Sequence, residues 1–157
     1  AAAELARLGA SPNRVAEKIY YNNRPEKIRL LGRVLSSLIM NGKGTIAVIS
    51  MFKRDTEAFG LREVDTEDMT TLARSIQGVE MVMFFKEMAP ETFRVSLRSK
   101  GSANAARVAE HFGGGGHVHA SGFTVYGPYE RLIREIPAKV ESLLDEASPG
   151  PPSGGAV

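Results

Sequence analysis

The chain has 157 residues, 43% hydrophobic and 24% charged, which suits one globular domain with a real core; no apolar run approaches the roughly 18 residues that cross a bilayer, and no signal peptide is visible. A formal net charge of +2 is too small to argue for nucleic acid, so any such case rests on where the cations sit. The absence of cysteine excludes a disulfide framework and thiolate zinc, and makes a reducing cytoplasm the expected location.

Residues 1–40 read as helical. Ala2, Leu5, Ala6 and Leu8 give a partial apolar face that Gly9 stops. The pattern is already running at Ala1, and the first residue is not Met, so an excised or processed piece of a longer protein is expected. Ser11-Pro12 signals a second helix, with Ser as N-cap and Pro at the first helical position. Pro25 opens a third, with Ile28, Leu31, Val34, Leu35 and Leu38 on one stripe, ended by Asn41-Gly42-Lys43-Gly44.

The character then changes. Residues 45–52 are apolar and β-branched, which predicts a buried strand. Asp65-Thr66-Glu67-Asp68 predicts a helix start, continued by Met69, Leu72, Ala73 and Ile76 and closed by Gly78. A second strand is expected over 79–87, a turn at Ala89-Pro90-Glu91 and a third strand over 92–99. In that third strand Phe93, Val95 and Leu97 alternate with Arg94, Ser96 and Arg98, the period of a strand with one buried face, and the pair should form a hairpin. A helix over 104–112, a glycine interruption, a fourth strand over 121–126 and a last helix from Pro128 complete the pattern. Leu132, Ile133, Ile136, Val140, Leu143 and Leu144 face inward on that helix. The tail has almost nothing to bury and is expected to be disordered.

The expected class is α/β. A short N-terminal helical segment, 1–42, is followed by a compact mixed-sheet domain with flanking helices, 43–147, and a tail, 148–157.

Gly113-Gly114-Gly115-Gly116-His117 is the first candidate for chemistry. Glycines let main-chain N–H groups approach an anion, and His117 can donate to a phosphate oxygen. A helix C-cap and flexible turn explains the same residues and stays open. The run is not a P-loop, because no Gly-Lys-Ser/Thr follows it, nor a Rossmann fingerprint, because it follows a helix. Arg98-Ser99-Lys100-Gly101 ends the third strand. It offers a planar fork, a hydroxyl and a point charge to phosphate, or is simply a wet strand end. A strand-helix-strand unit would bring both segments to one anion. His111, His117 and His119 are poorly disposed for a metal, with Glu110 the only carboxylate nearby, and no metal site is expected. Asp65, Glu67 and Asp68 read as a cap and dipole effect, and Met81, Met83, Met88, Phe84 and Phe85 as core. No nucleophile–base pair stands out, so no catalytic residue is assigned.

Val95-Ser96-Leu97-Arg98-Ser99-Lys100, the helix over 104–112, and residues 113–123, GGGGHVHASGF, together resemble the DHH-associated domain of the DHH phosphoesterases. The form resembles most the oligoribonuclease and phosphoadenosine-phosphate phosphatase branch, relatives of the RecJ exonuclease. Residues 11–35, Asp65-Thr66-Glu67 and 75–80 support the resemblance, which covers about residues 1–146. It implies a division of labour. A DHH domain holds two manganese ions and activates water, and the associated domain holds the substrate. By motif match Arg98, Ser99, Gly114, Gly115, Gly116 and His117 inherit the binding role. Short RNA, linear dinucleotides or nucleotide phosphates are the implied partners. No membrane partner is implied, and a homodimer is left open. This chain carries no Asp-His-His and none of the upstream Asp motifs, so it is expected to be the inactive binding part of a parent hydrolase, itself without a cofactor. The alternative is a non-catalytic nucleotide or RNA reader.

Overall fold

The computed structural model describes residues 7–9, 11–61 and 66–147. In chain order these build α1 (Pro12–Tyr20), α2 (Pro25–Leu35), β1 (Ile39–Met40), β2 (Ile46–Met51), α3 (Lys53–Ala58), α4 (Glu67–Arg74), β3 (Met81–Ala89), β4 (Thr92–Ser99), α5 (Ala105–His111), β5 (Gly115–His117), β6 (Ala120–Tyr126) and α6 (Tyr129–Ala147). The expected α/β class holds. The strands form one mixed sheet in the order β1-β2-β3-β4-β6-β5, in which only β2 and β3 run parallel. A parallel pair needs a crossover, and α3 and α4 supply it.

The period of two sorts the side chains. Met81, Met83 and Phe85 of β3 and Phe93, Val95 and Leu97 of β4 enter one core with Ala105, Val108 and Ala109 of α5 and Leu132 and Val140 of α6. Val82 and Phe84 point the other way, into a second core with Ala47, Ile49 and Met51 of β2, Leu30 and Val34 of α2, and Met69 and Ala73 of α4. Every residue of β2 is buried, as expected for a strand covered on both faces. Buried polar groups are satisfied: Ser50 Oγ and Tyr129 Oη share a 2.8 Å hydrogen bond, and the Tyr129 ring lies among Phe52, Phe85 and Phe93.

The structure departs from the sequence pattern in several places, among them the added short strands β1 and β5. Helix α2 stops at Leu35 instead of reaching Asn41, because short hydroxyl side chains compete for its carbonyls. Ser36 Oγ donates to the Gly32 carbonyl at 2.8 Å, and Ser37 Oγ donates to the Val34 carbonyl at 2.6 Å while accepting from the Ser50 N–H at 2.8 Å. The chain is thereby turned into β1. The inward stripe of α2 is also rotated: Leu30 and Val34 are buried, whereas Ile28 is 50% and Leu38 38% exposed. Helix α3 was not anticipated. The buried Asp55 carboxylate accepts from the Phe52 N–H at 2.9 Å and from Arg33 Nε at 3.3 Å, which caps α3 and ties it to α2. Met88, expected in the core, is 45% exposed at the hairpin end. The first expected helix falls almost wholly outside the described residues, as do Asp65 and the 148–157 tail.

Because Leu30 is fully buried between α2 and the sheet, Leu30→Ala should lower unfolding free energy by about 2–5 kcal/mol. Urea unfolding monitored by circular dichroism checks this. A loss below about 0.5 kcal/mol would mean that α2 is not part of the folded unit.

Candidate nucleotide-binding face

Helices α2 and α4 cover β2 and β3, and α5 and α6 cover the opposite face. Among the described residues, no helix lies over the outer part of the first face, across β4, β6 and β5. There the outward residues of β4 are Arg94, Ser96 and Arg98, and their ladder partners on β6 are Thr124, Gly122 and Ala120. These residues and the glycine run line an open groove of about 770 Å³, within the usual range for ligand sites.

The glycine run has three jobs, one after another. Gly113, at φ +74°, closes α5: its N–H donates to the Glu110 carbonyl at 3.0 Å, and the Gly114 N–H donates to the Ala109 carbonyl at 2.9 Å. This is a Schellman cap. Those two N–H groups therefore face the helix end and not an anion. Gly115–His117 then form β5, the edge strand, paired with β6. Two glycines are required by the closeness of that pairing. A Cβ on Gly114 would fall on the Gly122 carbonyl oxygen and within 2.6 Å of Phe123 Cβ, and one on Gly116, at φ +141°, within 2.6 Å of the Ala120 carbonyl oxygen. A Cβ on Gly115 meets nothing within 4 Å. Gly122 is the third close approach, with its missing Cβ 2.8 Å from the Val95 carbonyl oxygen.

Arg98 lies at one end of the groove. Its Nη2 is 2.8 Å and its Nε 3.4 Å from the Glu67 carboxylate, and Nη1 donates to the Leu97 carbonyl at 3.2 Å. Glu67 thus does more than cap α4. It fixes the guanidinium plane from across the sheet. The register places Arg98, Ala120 and His117 in one row across three strands. His117 is exposed and does not itself line the groove.

Ser99 sits apart from its neighbour Arg98. It is 2% exposed, on the opposite face, and its hydroxyl donates to the Ala103 carbonyl at 2.7 Å, with the Val118 carbonyl and His119 Nδ1 each at 3.1 Å. The three histidines are dispersed: His111 packs edge-on against Phe112, His119 meets Ser99, and His117 stands on β5. Among the described residues no three His, Cys, Asp or Glu come together as a metal site would need. The sequence pattern did not single out Arg94, Gly122, Thr124 or Tyr126. The signal was present in the alternation of β4, since Arg94 shares its parity with Arg98.

Residues 41–148 match the DHHA1 domain. The chain belongs to the DHHA1 domain family. This DHHA1 chain is 32% identical over 140 residues to a bifunctional oligoribonuclease and PAP phosphatase NrnA of Thermus thermophilus, covering 86% of this chain and 41% of that protein. It is 29% identical over 127 residues to the NrnA of Bacillus subtilis, covering 80% of this chain and 39% of that one. Among solved structures, an exopolyphosphatase-related protein of Bacteroides fragilis superposes with a TM-score of 0.81 at 30% identity, over 92% of this chain and 42% of that chain. A pGpG-specific phosphodiesterase of Vibrio cholerae shares the fold, with a TM-score of 0.56 at 10% identity over 90% of this chain and 45% of that one. The chain spans about two-fifths of the length of the NrnA relatives.

Gly114→Ala and Gly116→Ala should each cost about 1–3 kcal/mol of unfolding free energy through overlap, with strain added at Gly116. Gly115→Ala should stay within about 0.5 kcal/mol. Parallel urea titrations of the three variants check the contrast, and equal losses would refute the packing role given to Gly114 and Gly116.

Proposed function

We propose that the bare half-face of this DHHA1 domain holds the phosphate end of a short oligoribonucleotide, linear dinucleotide or phosphoadenosine phosphate, as the binding part of a DHH-type phosphoesterase. The observation that carries this is the Arg98 guanidinium, held in one orientation by Glu67 at the end of a groove with a polar and glycine floor. A guanidinium has five N–H donors. Glu67 takes one on Nε and one on Nη2, and the Leu97 carbonyl takes one on Nη1. Five less three leaves one donor on each Nη for a phosphate. The planar fork suits such an oxyanion, and pre-orientation spares the side chain part of its ordering cost on binding. His117, exposed and one strand beyond Ala120, supplies a further N–H to the same anion. Gly115 leaves room beside it, while Gly114 and Gly116 shape the strand. Ser99 acts through the scaffold, not through the ligand.

Two relatives bear names that specify oligoribonuclease and PAP phosphatase activity, and the substrate class proposed here follows those names. Manganese is the metal proposed for the partner DHH domain. The described residues of this chain do not fit a two-metal centre, and no step of bond cleavage is assigned to them. A cytoplasmic setting belongs to the same proposal. No described helix is long and apolar enough to cross a membrane.

Calorimetric titration with 5′-phosphorylated diadenylate tests the site. Arg98→Ala removes a charged hydrogen-bonding group and should weaken binding by about 1.5–3 kcal/mol, roughly 10- to 150-fold. His117→Ala should weaken it less, and the affinity should fall with salt. Unchanged affinity in both variants would refute the site. With manganese added, the chain alone should release no AMP from the dinucleotide, and sustained release would refute the division of labour.

A further inference from the structure

The ladder puts a second pair of cations where the bare face meets β3. Lys86 of β3 is directly opposite Arg94 of β4, and Arg94 is opposite Thr124 of β6. Like charges facing each other across an antiparallel pair destabilise a sheet. Neither side chain has a hydrogen bond or ion pair among the described residues, so no described residue offsets their repulsion. Arg98, by contrast, is compensated by Glu67. Two uncompensated cations side by side, with a hydroxyl next to them, are suited to an anion. Beyond them Tyr126, paired with Thr92, leaves its ring 70% exposed on the same parity as Thr124. An exposed ring beside a cationic track is a platform for base stacking.

The spacing sets the ligand. Arg94 and Arg98 are four residues apart on one strand, about 13 Å at strand rise. Between them Ser96 and Gly122 form a floor with no side chain larger than a hydroxymethyl. Arg98 is turned to Glu67, so the two ends can take different phosphates of one ligand.

We infer that Lys86 and Arg94 form a second anion subsite, with Tyr126 as the stacking platform, so that the face accepts a linear dinucleotide across its width in preference to a single nucleoside carrying two phosphates. This inference rests on the binding role given above to Arg98. Arg98 anchors one phosphate, the sugar and first base cross the Ser96–Gly122 floor, and the outer nucleotide meets the cation pair. Length becomes a source of affinity through Tyr126, because only the longer ligand carries a second base to stack on it.

The test compares 5′-phosphorylated diadenylate with phosphoadenosine phosphate, which carries the same number of phosphates on one nucleoside. Arg94→Gln should weaken both ligands about tenfold and flatten their salt dependence by about one counterion, since both carry a phosphate on the 3′-oxygen of the first nucleoside. Lys86→Gln should act in the same direction. Tyr126→Ala should lower dinucleotide affinity and leave phosphoadenosine phosphate within about twofold, and Tyr126→Phe should restore the dinucleotide. The Tyr126 variants should melt like the parent, and Arg94→Gln and Lys86→Gln, which each remove one of two facing charges, at or above it. If Arg98→Ala weakens both ligands while Arg94→Gln and Lys86→Gln weaken neither, the second subsite is wrong and the Arg98 site stands. If Arg98→Ala weakens neither, or neither ligand binds, the site itself is wrong and the subsite falls with it.

Discussion

The close contact of Gly114 with the Gly122 carbonyl is the constraint on which the rest of the face depends. Strand β5 reaches β6 only because Gly114 carries no Cβ where it passes Gly122 and Phe123, and Gly116 repeats the condition two residues further on against Ala120 and Ser121. Gly122 in turn lies against the Val95 carbonyl of β4. Three strands are thus brought together by absent side chains. The entropy lost in ordering glycines is real. It is offset here by the Schellman cap on α5, the ladder with β6, and the Ser121 hydroxyl, which donates to the Ala105 carbonyl at 2.6 Å and ties β6 to the start of α5. The run that looks most flexible in sequence is held on both sides, and this fixed geometry places His117 in the row of Arg98.

Uneven helix cover then leaves part of the sheet open. One face is closed across the central strands by α5 and α6, and the other only over β2 and β3. Burying polar groups without partners is costly, so the uncovered part is where Arg94, Ser96, Arg98 and Thr124 can sit. The same strand β4 gives Phe93, Val95 and Leu97 to the core on its other side. Core packing and the charge of the open face are therefore written on alternate residues of one strand. A change at an odd-numbered position is felt as packing, and a change at an even-numbered one as charge.

This explains what the sequence made legible. A period of two is local, so β4 and its hairpin with β3 could be read directly, as could the inward stripe of α6. The end of α2 could not. Leu38 and Ile39 extend its apolar pattern, and the turn is decided by Ser36 and Ser37 bonding to α2 and to Ser50, which lies 13 residues beyond Ser37. Strand β5 left no signal because glycine has no side chain to alternate. The grip of Glu67 on Arg98 spans 31 residues, and an acid in a first helical turn has an adequate local explanation in the helix dipole. Arg98 and His117 stood out by their chemistry with plain alternatives left open, resemblance to a family gave them a binding role, and the fold supplied the reason they share a row.

The pair Arg98-Ser99 shows how two neighbours divide the work. Side chains alternate across a strand, so adjacency in sequence puts the two on opposite faces. Arg98 goes to the open side, where its charge is steadied by a carboxylate yet keeps two donors free. Lysine there would be a poor substitute, because a point charge held by Glu67 has no second pre-aimed fork. Ser99 goes to the buried side and gathers the Ala103 and Val118 carbonyls and His119 Nδ1 around one hydroxyl. Those groups belong to the start of the α5 segment and to the turn between β5 and β6. Ser99 therefore fixes the hairpin that carries His117, and being buried it takes no direct part in the open face.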